Sequence, residues 1–99
     1  MKSGFKIRWT PNARKDLENT LEYLEENFSA KEITRLVQKI ERVAELISQN
    51  PNLFPKSEKS KIYKVVILKF NTMYYRIKNN QIEILSFFSN RQNPAKRIL

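Results

Sequence analysis

Residues 62–94 read IYKVVILKFNTMYYRIKNNQIEILSFFSNRQNP, and this stretch decides the fold. Runs rich in aliphatic and aromatic residues near 62–68, 71–78 and 81–88 have the character of strands. Asn79-Asn80 fits the two-residue loop of a hairpin, because asparagine tolerates the positive φ that such a turn requires. Counted from that turn, Ile77 faces Ile82, Tyr75 faces Ile84 and Met73 faces Ser86 on the inner side. Arg76 faces Glu83 on the outer side, beside a Tyr74–Leu85 pair. A polar, arginine-bearing segment follows the last run.

The preceding chain supplies the second layer. Phe5, Ile7 and Trp9 alternate with Lys6 and Arg8, the pattern of a half-buried strand. Thr10-Pro11 then marks a helix start, threonine as N-cap and proline at the first helical position, where its missing N–H is not needed. Ala13, Leu17, Leu21, Leu24 and Phe28 recur at helical spacing, opposite a charged face of Lys15, Glu18, Glu22, Glu25 and Glu26. Ser29 to Glu32 has the form of a capping box, with Ser29 and Glu32 each satisfying the other's backbone N–H. Ile33, Leu36, Val37, Ile40, Val43, Ala44 and Ile47 make a longer apolar stripe, which Asn50-Pro51 ends. An antiparallel helix pair over 11–49 is therefore expected. Residues 50–61 form a polar connector, with Leu53 and Phe54 expected to pin it to the core.

The order β-α-α-β-β-β predicts a single α+β domain over residues 1–99. A mostly antiparallel sheet carries the helix pair on one face. The position of the first strand within the sheet is left open. The chain is long enough to bury its own core.

Charge is unevenly distributed. Residues 56–97 hold ten Lys/Arg against two acids, whereas residues 1–55 hold nine against eight, so almost all of the net +9 lies in the sheet half. Such asymmetry suits a polyanionic or acidic partner. The absence of cysteine removes a disulfide framework, a thiolate nucleophile and a Cys zinc site. Zero histidine removes the commonest general base and metal ligand. Glu58 and Glu83 are too few and scattered to build an oxygen cage in the sheet half. No metal and no cofactor are expected. The amino terminus carries no apolar run of signal-peptide length and nothing approaches a membrane span, so a soluble cytoplasmic protein with no membrane partner is expected.

Several pieces in order resemble the RelE/ParE superfamily, the toxins of type II toxin–antitoxin modules. They are Trp9-Thr10-Pro11-x-Ala13-x-x-Asp16-Leu17, the Asn50-Pro51 helix stop, and NTMYYRIKNNQIEILSFFSNRQNP. The resemblance covers nearly the whole chain. It implies a compact cytoplasmic growth inhibitor, held inactive by a cognate antitoxin that wraps an acidic or amphipathic segment around it. RelE-like members cut messenger RNA on the ribosome, and ParE-like members inhibit DNA gyrase. RNA cleavage needs a group to take the 2′-OH proton, cations for the phosphate and a donor to the leaving oxygen. Of the basic cluster used by RelE-type ribonucleases, Lys61 and Lys64 match the lysine region approximately, and Arg91 matches the arginine after the last strand. Thr72 stands where the early-strand arginine is expected, and the tail has no tyrosine. The Asn90–Pro94 ending resembles the Arg-x-x-Pro finish of ParE-like sequences.

The resemblance therefore favours a gyrase-binding growth inhibitor without catalysis. One alternative is a ribosome-dependent endoribonuclease using Lys61, Lys64 and Arg91; another is a non-toxic nucleic-acid-binding relative. The candidate residues for target or antitoxin are Lys61, Lys64, Arg76, Asn90, Arg91, Lys96 and Arg97. All but Asn90 have a plainer reading. Arg76 has Glu83 as a cross-strand partner, lysines at a sheet edge discourage aggregation, and Arg91, Lys96 and Arg97 could be solvated terminal charges. Tyr63 and Tyr74 could stack nucleobases, although Tyr74 more simply covers Leu85 on the outer sheet face.

Overall fold

The computed structural model describes residues 4–90, in the expected order: β1 (Lys6–Trp9), α1 (Pro11–Asn27), α2 (Ala30–Gln49), β2 (Tyr63–Ile67), β3 (Asn71–Lys78) and β4 (Gln81–Ser89). The strands form one sheet in the order β1-β4-β3-β2. β2, β3 and β4 are an antiparallel meander, and β1 pairs in parallel with β4, Ile7 beside Ile82 and Trp9 beside Ile84. The sheet is thus mixed, with the first strand at an edge.

Local chemistry starts α1 as expected. Thr10 is extended and its hydroxyl accepts the Ala13 N–H at 3.2 Å, with Pro11 as the first helical residue. The buried stripe of α1 is Ala13, Thr20 and Leu24, while Leu17 and Leu21 are half-buried against the core. Thr20 is admitted to the interior because its hydroxyl donates to the Asp16 carbonyl. The Ser29–Glu32 capping box does not form as expected: the Ser29 hydroxyl makes no cap bond, and the Glu32 N–H donates to the Ser29 carbonyl at 3.0 Å instead. α2 buries Leu36, Ile40, Val43 and Ile47, four members of its predicted stripe.

The far end of α2 fastens the first strand. Phe5 N–H donates to the Ser48 carbonyl, and the Ser48 hydroxyl donates back to the Phe5 carbonyl. At Gly4 a Cβ would stand 2.2 Å from Ser48 Oγ, so the close approach of strand and helix uses the chain's single glycine.

The hairpin turn is the one expected, with Asn79 and Asn80 at φ 51° and 64°. Ile77–Ile82, Tyr75–Ile84 and Arg76–Glu83 are paired as predicted. Beyond them the register slips. Tyr74 pairs with Ser86 rather than Leu85, and Met73 pairs with Phe87 rather than Ser86. Leu85 is an extra residue in β4, a β-bulge, and it reverses the alternation of the strand. Ile82 and Ile84 point inward before it, Phe87 and Ser89 after it. A plain hairpin would have buried Ser86 and turned Phe87 outward.

The bulge is held from α1. Thr10 donates through both its N–H and its hydroxyl to the Ile84 carbonyl, at 3.1 and 2.8 Å. Asn12 Nδ2 donates to the Leu85 carbonyl at 3.1 Å, and the Phe87 N–H donates to Asp16 Oδ2 at 3.1 Å. The backbone groups that a bulge removes from the ladder are thereby satisfied.

The connector is anchored differently from expectation. Leu53 is 47% exposed; Phe54 does pack on the core, and Pro51 is buried. The anchors are polar: Tyr75 donates its hydroxyl to the Pro51 carbonyl at 2.9 Å, and the Tyr63 hydroxyl bonds Asn52 Oδ1. The two tyrosine rings stack with centroids 4.8 Å apart, so Tyr63 is a core residue and not an exposed stacking platform. Burial, with Tyr63 alongside, pushes the Tyr75 hydroxyl pKa upward, which keeps it a proton donor to the carbonyl.

The bulge makes two neighbouring phenylalanines unequal. Phe87→Ala is expected to cost about 3–5 kcal/mol in chemical denaturation, and Phe88→Ala about 1 kcal/mol or less. The uninterrupted hairpin would give the opposite order.

Candidate partner-binding face

The helices cover one face of the sheet, and the outward residues of the four strands form the other. Register fixes its layout in rows across the strands. Val66, Thr72 and Phe88 share one row, and Lys64, Tyr74 and Ser86 the next. Arg76, Glu83 and Arg8 form a third, and Lys78, Gln81 and Lys6 a fourth. The face therefore runs from apolar to cationic along the strands. Val66 is 55% and Phe88 39% exposed at the apolar end. At the other end Lys6, Arg8, Arg76 and Lys78 are exposed around the single carboxylate of Glu83.

Glu83 is bridged on both sides. Arg76 Nε lies 2.8 Å from Oε1 and Arg8 Nη1 lies 2.9 Å from Oε2. The Arg76 hydrogen bond holds the Glu83 carboxyl below its ordinary value, partial burial opposes this, and the charges of Arg76, Lys78 and Arg8 add to the lowering. Arg76 therefore has the structural partner anticipated for it, while keeping half of its side chain in solvent.

Lys64 stands exposed on β2 opposite Tyr74, its N–H bonded to the Pro55 carbonyl. With Pro55, Lys56, Ser57, Ser60, Ile62 and Tyr74 it lines a cleft of about 420 Å³ at the margin of the open face. Lys61 is exposed on the same connector, with φ 63°, between Ser60 and Ile62 but outside the cleft lining. Asn90 lies at the opposite end of the face, where its N–H donates to the Phe70 carbonyl at 2.7 Å. Arg91, Lys96 and Arg97 lie outside the described residues. Lys64, Arg76 and Tyr74 are thus brought onto one surface. Thr72, at the position where a ribonuclease arginine was sought, lies on the same surface between Val66 and Phe88.

Four further cations, Lys6, Arg8, Lys78 and Lys56, were not among the sequence candidates. Lys6 and Arg8 belong to the nearly neutral half of the sequence and reach this face because β1 lies beside β4. Their alternation with Phe5, Ile7 and Trp9 put them on one side of a strand, but not on a particular surface. Lys56 sits over the Tyr63 ring, 5.6 Å from its centroid, and had no sequence signal beyond its charge. Among the described residues, no cluster of three or more His, Cys, Asp or Glu is placed to hold a metal ion. No helix among them is long and apolar enough to cross a membrane.

A short edge strand, a helix pair and an antiparallel meander stand in the order that the resemblance to the RelE/ParE superfamily implied. Solved structures share the fold. The chromosomal ParDE toxin–antitoxin system from P. aeruginosa superposes with a TM-score of 0.70 at 19% identity, over 86% of this chain and 95% of that one. The YoeB dimer from Staphylococcus aureus gives 0.59 at 23% identity, over 85% and 94%. The YoeB–YefM complex from the same organism gives 0.55 at 23%, over 84% and 93%. No curated protein sequence matches the chain. A family model described as the ParE toxin of the type II toxin–antitoxin system, parDE, matches residues 7–94. The chain belongs to the ParE toxin family.

The bridged carboxylate has a measurable signature. A folded-state pKa below the ordinary carboxylate range means that Glu83 stabilises the fold above that range and ceases to as pH falls through its own value. Carbon-13 titration should place Glu83 below the ordinary glutamate value, and Arg76→Ala should move it back up.

Proposed function

We propose that this ParE-family toxin arrests growth by binding DNA gyrase in the cytoplasm, through protein–protein contact rather than catalysis, and that a cognate antitoxin holds it inactive. The family match over residues 7–94 carries this reading. The open face supports it chemically. Its exposed cations suit an acidic partner surface, and its apolar row supplies the area that a specific interface needs. RNA cleavage would need a base for the 2′-OH proton, and the chain lacks histidine, the commonest such base. Thr72 cannot supply the positive charge that an arginine would bring to the phosphate. Lys61, Lys64, Arg76 and Asn90 are the proposed binding residues among those described, with Arg91, Lys96 and Arg97 beyond them. The antitoxin is the partner of opposite charge. A YoeB–YefM complex is known for a chain of similar fold.

One observation favours a second reading, a ribosome-dependent messenger RNA endoribonuclease. Lys64, Lys56 and Tyr74 converge on one cleft, an arrangement that could hold a phosphate beside a base.

The readings separate in two assays. Purified protein should block supercoiling of relaxed plasmid by gyrase, and Lys64→Glu with Arg76→Glu should weaken the block roughly tenfold or more by setting like charges across the interface. Unaltered supercoiling at high molar excess, together with new cuts within codons in primer extension on cellular messenger RNA, would replace the first reading with the second.

A further inference from the structure

The residues that the open face presents are set by one position in β4, and that position is held by side chains the proposed function has not used. Counting from the Asn79-Asn80 turn without a bulge, β4 would present Leu85 and Phe87 outward and bury Ser86. With Leu85 as an extra residue, Ser86 lies beside Tyr74 and Phe88 beside Thr72, while Phe87 enters the core. The bulge therefore exchanges the members of the upper rows of the binding face and leaves the Arg76–Glu83 row unchanged.

Holding the bulge falls to the first turns of α1. Thr10 holds the Ile84 carbonyl before the extra residue, Asn12 Nδ2 donates to the Leu85 carbonyl after it, and Asp16 Oδ2 accepts the Phe87 N–H one residue further on. Asn12 Nδ2 also approaches Asp16 Oδ2 at 3.4 Å, which orients the carboxylate toward the strand. Asn12 is exposed and Asp16 half-buried, so neither contributes an apolar core contact that would account for its placement.

We propose that Asn12 and Asp16 are positioning residues for the partner-binding face: they fix the Leu85 bulge and so select Ser86 and Phe88, rather than Leu85 and Phe87, as the residues a partner meets. This rests on the reading that the open face binds the target. The two side chains touch no partner in this proposal; they act through the strand. An amide oxygen at position 16 can still accept the Phe87 N–H, whereas a methyl group cannot.

The test uses the full chain and the variants Asp16→Ala, Asp16→Asn and Asn12→Ala. Asn12→Ala raises helix propensity, so any loss it causes does not come from weakening α1. Cross-strand nuclear Overhauser contacts report the register without reference to any target: Tyr74–Ser86 with the bulge, Tyr74–Leu85 without it. Gyrase inhibition reports the function. In the alanine variants the Tyr74–Ser86 contact should weaken or give way to Tyr74–Leu85. Inhibitory potency should fall roughly tenfold or more for Asp16→Ala, which loses a charged hydrogen bond, and roughly threefold or more for Asn12→Ala, which loses a neutral one. Asp16→Asn should retain both. Should Asp16→Ala fail to fold, Asn12→Ala decides the matter. The proposal is overturned if both alanine variants keep the Tyr74–Ser86 contact, or if the contact is lost while potency stays at the parent level. If the parent protein leaves gyrase untouched, the target reading fails separately, and growth arrest in cells replaces inhibition in the same comparison.

Discussion

The rest of the molecule depends on the hydrogen bonding between the start of α1 and the irregular point of β4. A bulge leaves carbonyls and an N–H without ladder partners, and burying such groups unpaired costs about 1–3 kcal/mol each. Thr10, Asn12 and Asp16 remove that penalty from one direction. Thr10 is shared between two elements, because its hydroxyl accepts the Ala13 N–H to cap the helix and donates to the Ile84 carbonyl in the strand. The helix start and the strand irregularity are therefore conditions of each other. Through them the core gains Phe87, and β1, which leads directly into Thr10, is drawn against β4.

The opposite side of the sheet is tied down by a second polar device. Tyr63 and Tyr75 are neighbours across β2 and β3, stacked ring on ring, with both hydroxyls reaching the connector. Each ring fills core volume while its tip satisfies a polar group that a purely apolar side chain would leave bare. The connector so fixed carries Lys56 and leads into Lys64. The basic margin of the open face is consequently attached to the core, although its residues are in solvent.

The elements were legible in the sequence because their signals are local. A threonine before a proline, stripes at helical spacing and Asn79-Asn80 between alternating runs each need only a few neighbouring residues to be read. The hairpin register followed from the turn as far as Tyr75 and Ile84. It failed at Leu85 because a bulge in a strand edge is created by partners far along the chain: Asp16 and Phe87 are 71 residues apart. The resemblance did include Trp9-Thr10-Pro11 and Asp16, but a pattern does not reveal which backbone groups its side chains bind. The same limit hid the contribution of Lys6 and Arg8 to the open face. The charge split by sequence halves was correct as arithmetic; the topology then added an N-terminal strand to the basic surface. Leu53 illustrates the reverse case, an apolar residue in a polar loop that was expected to anchor it and that stands half in solvent instead.

Five described residues other than glycine adopt left-handed backbone angles: Lys61, Leu68, Lys69, Asn79 and Asn80. For lysine and leucine this geometry is held at an expense of about 1–2 kcal/mol per residue. Glycine would relieve it, yet would also widen the range of shapes open to each loop. Three of the five flank β2 and two close the β3–β4 hairpin, so both ends of the meander are bent by stiff corners. On the proposed reading, a partner meeting the sheet encounters a shape settled beforehand, with less ordering entropy to surrender.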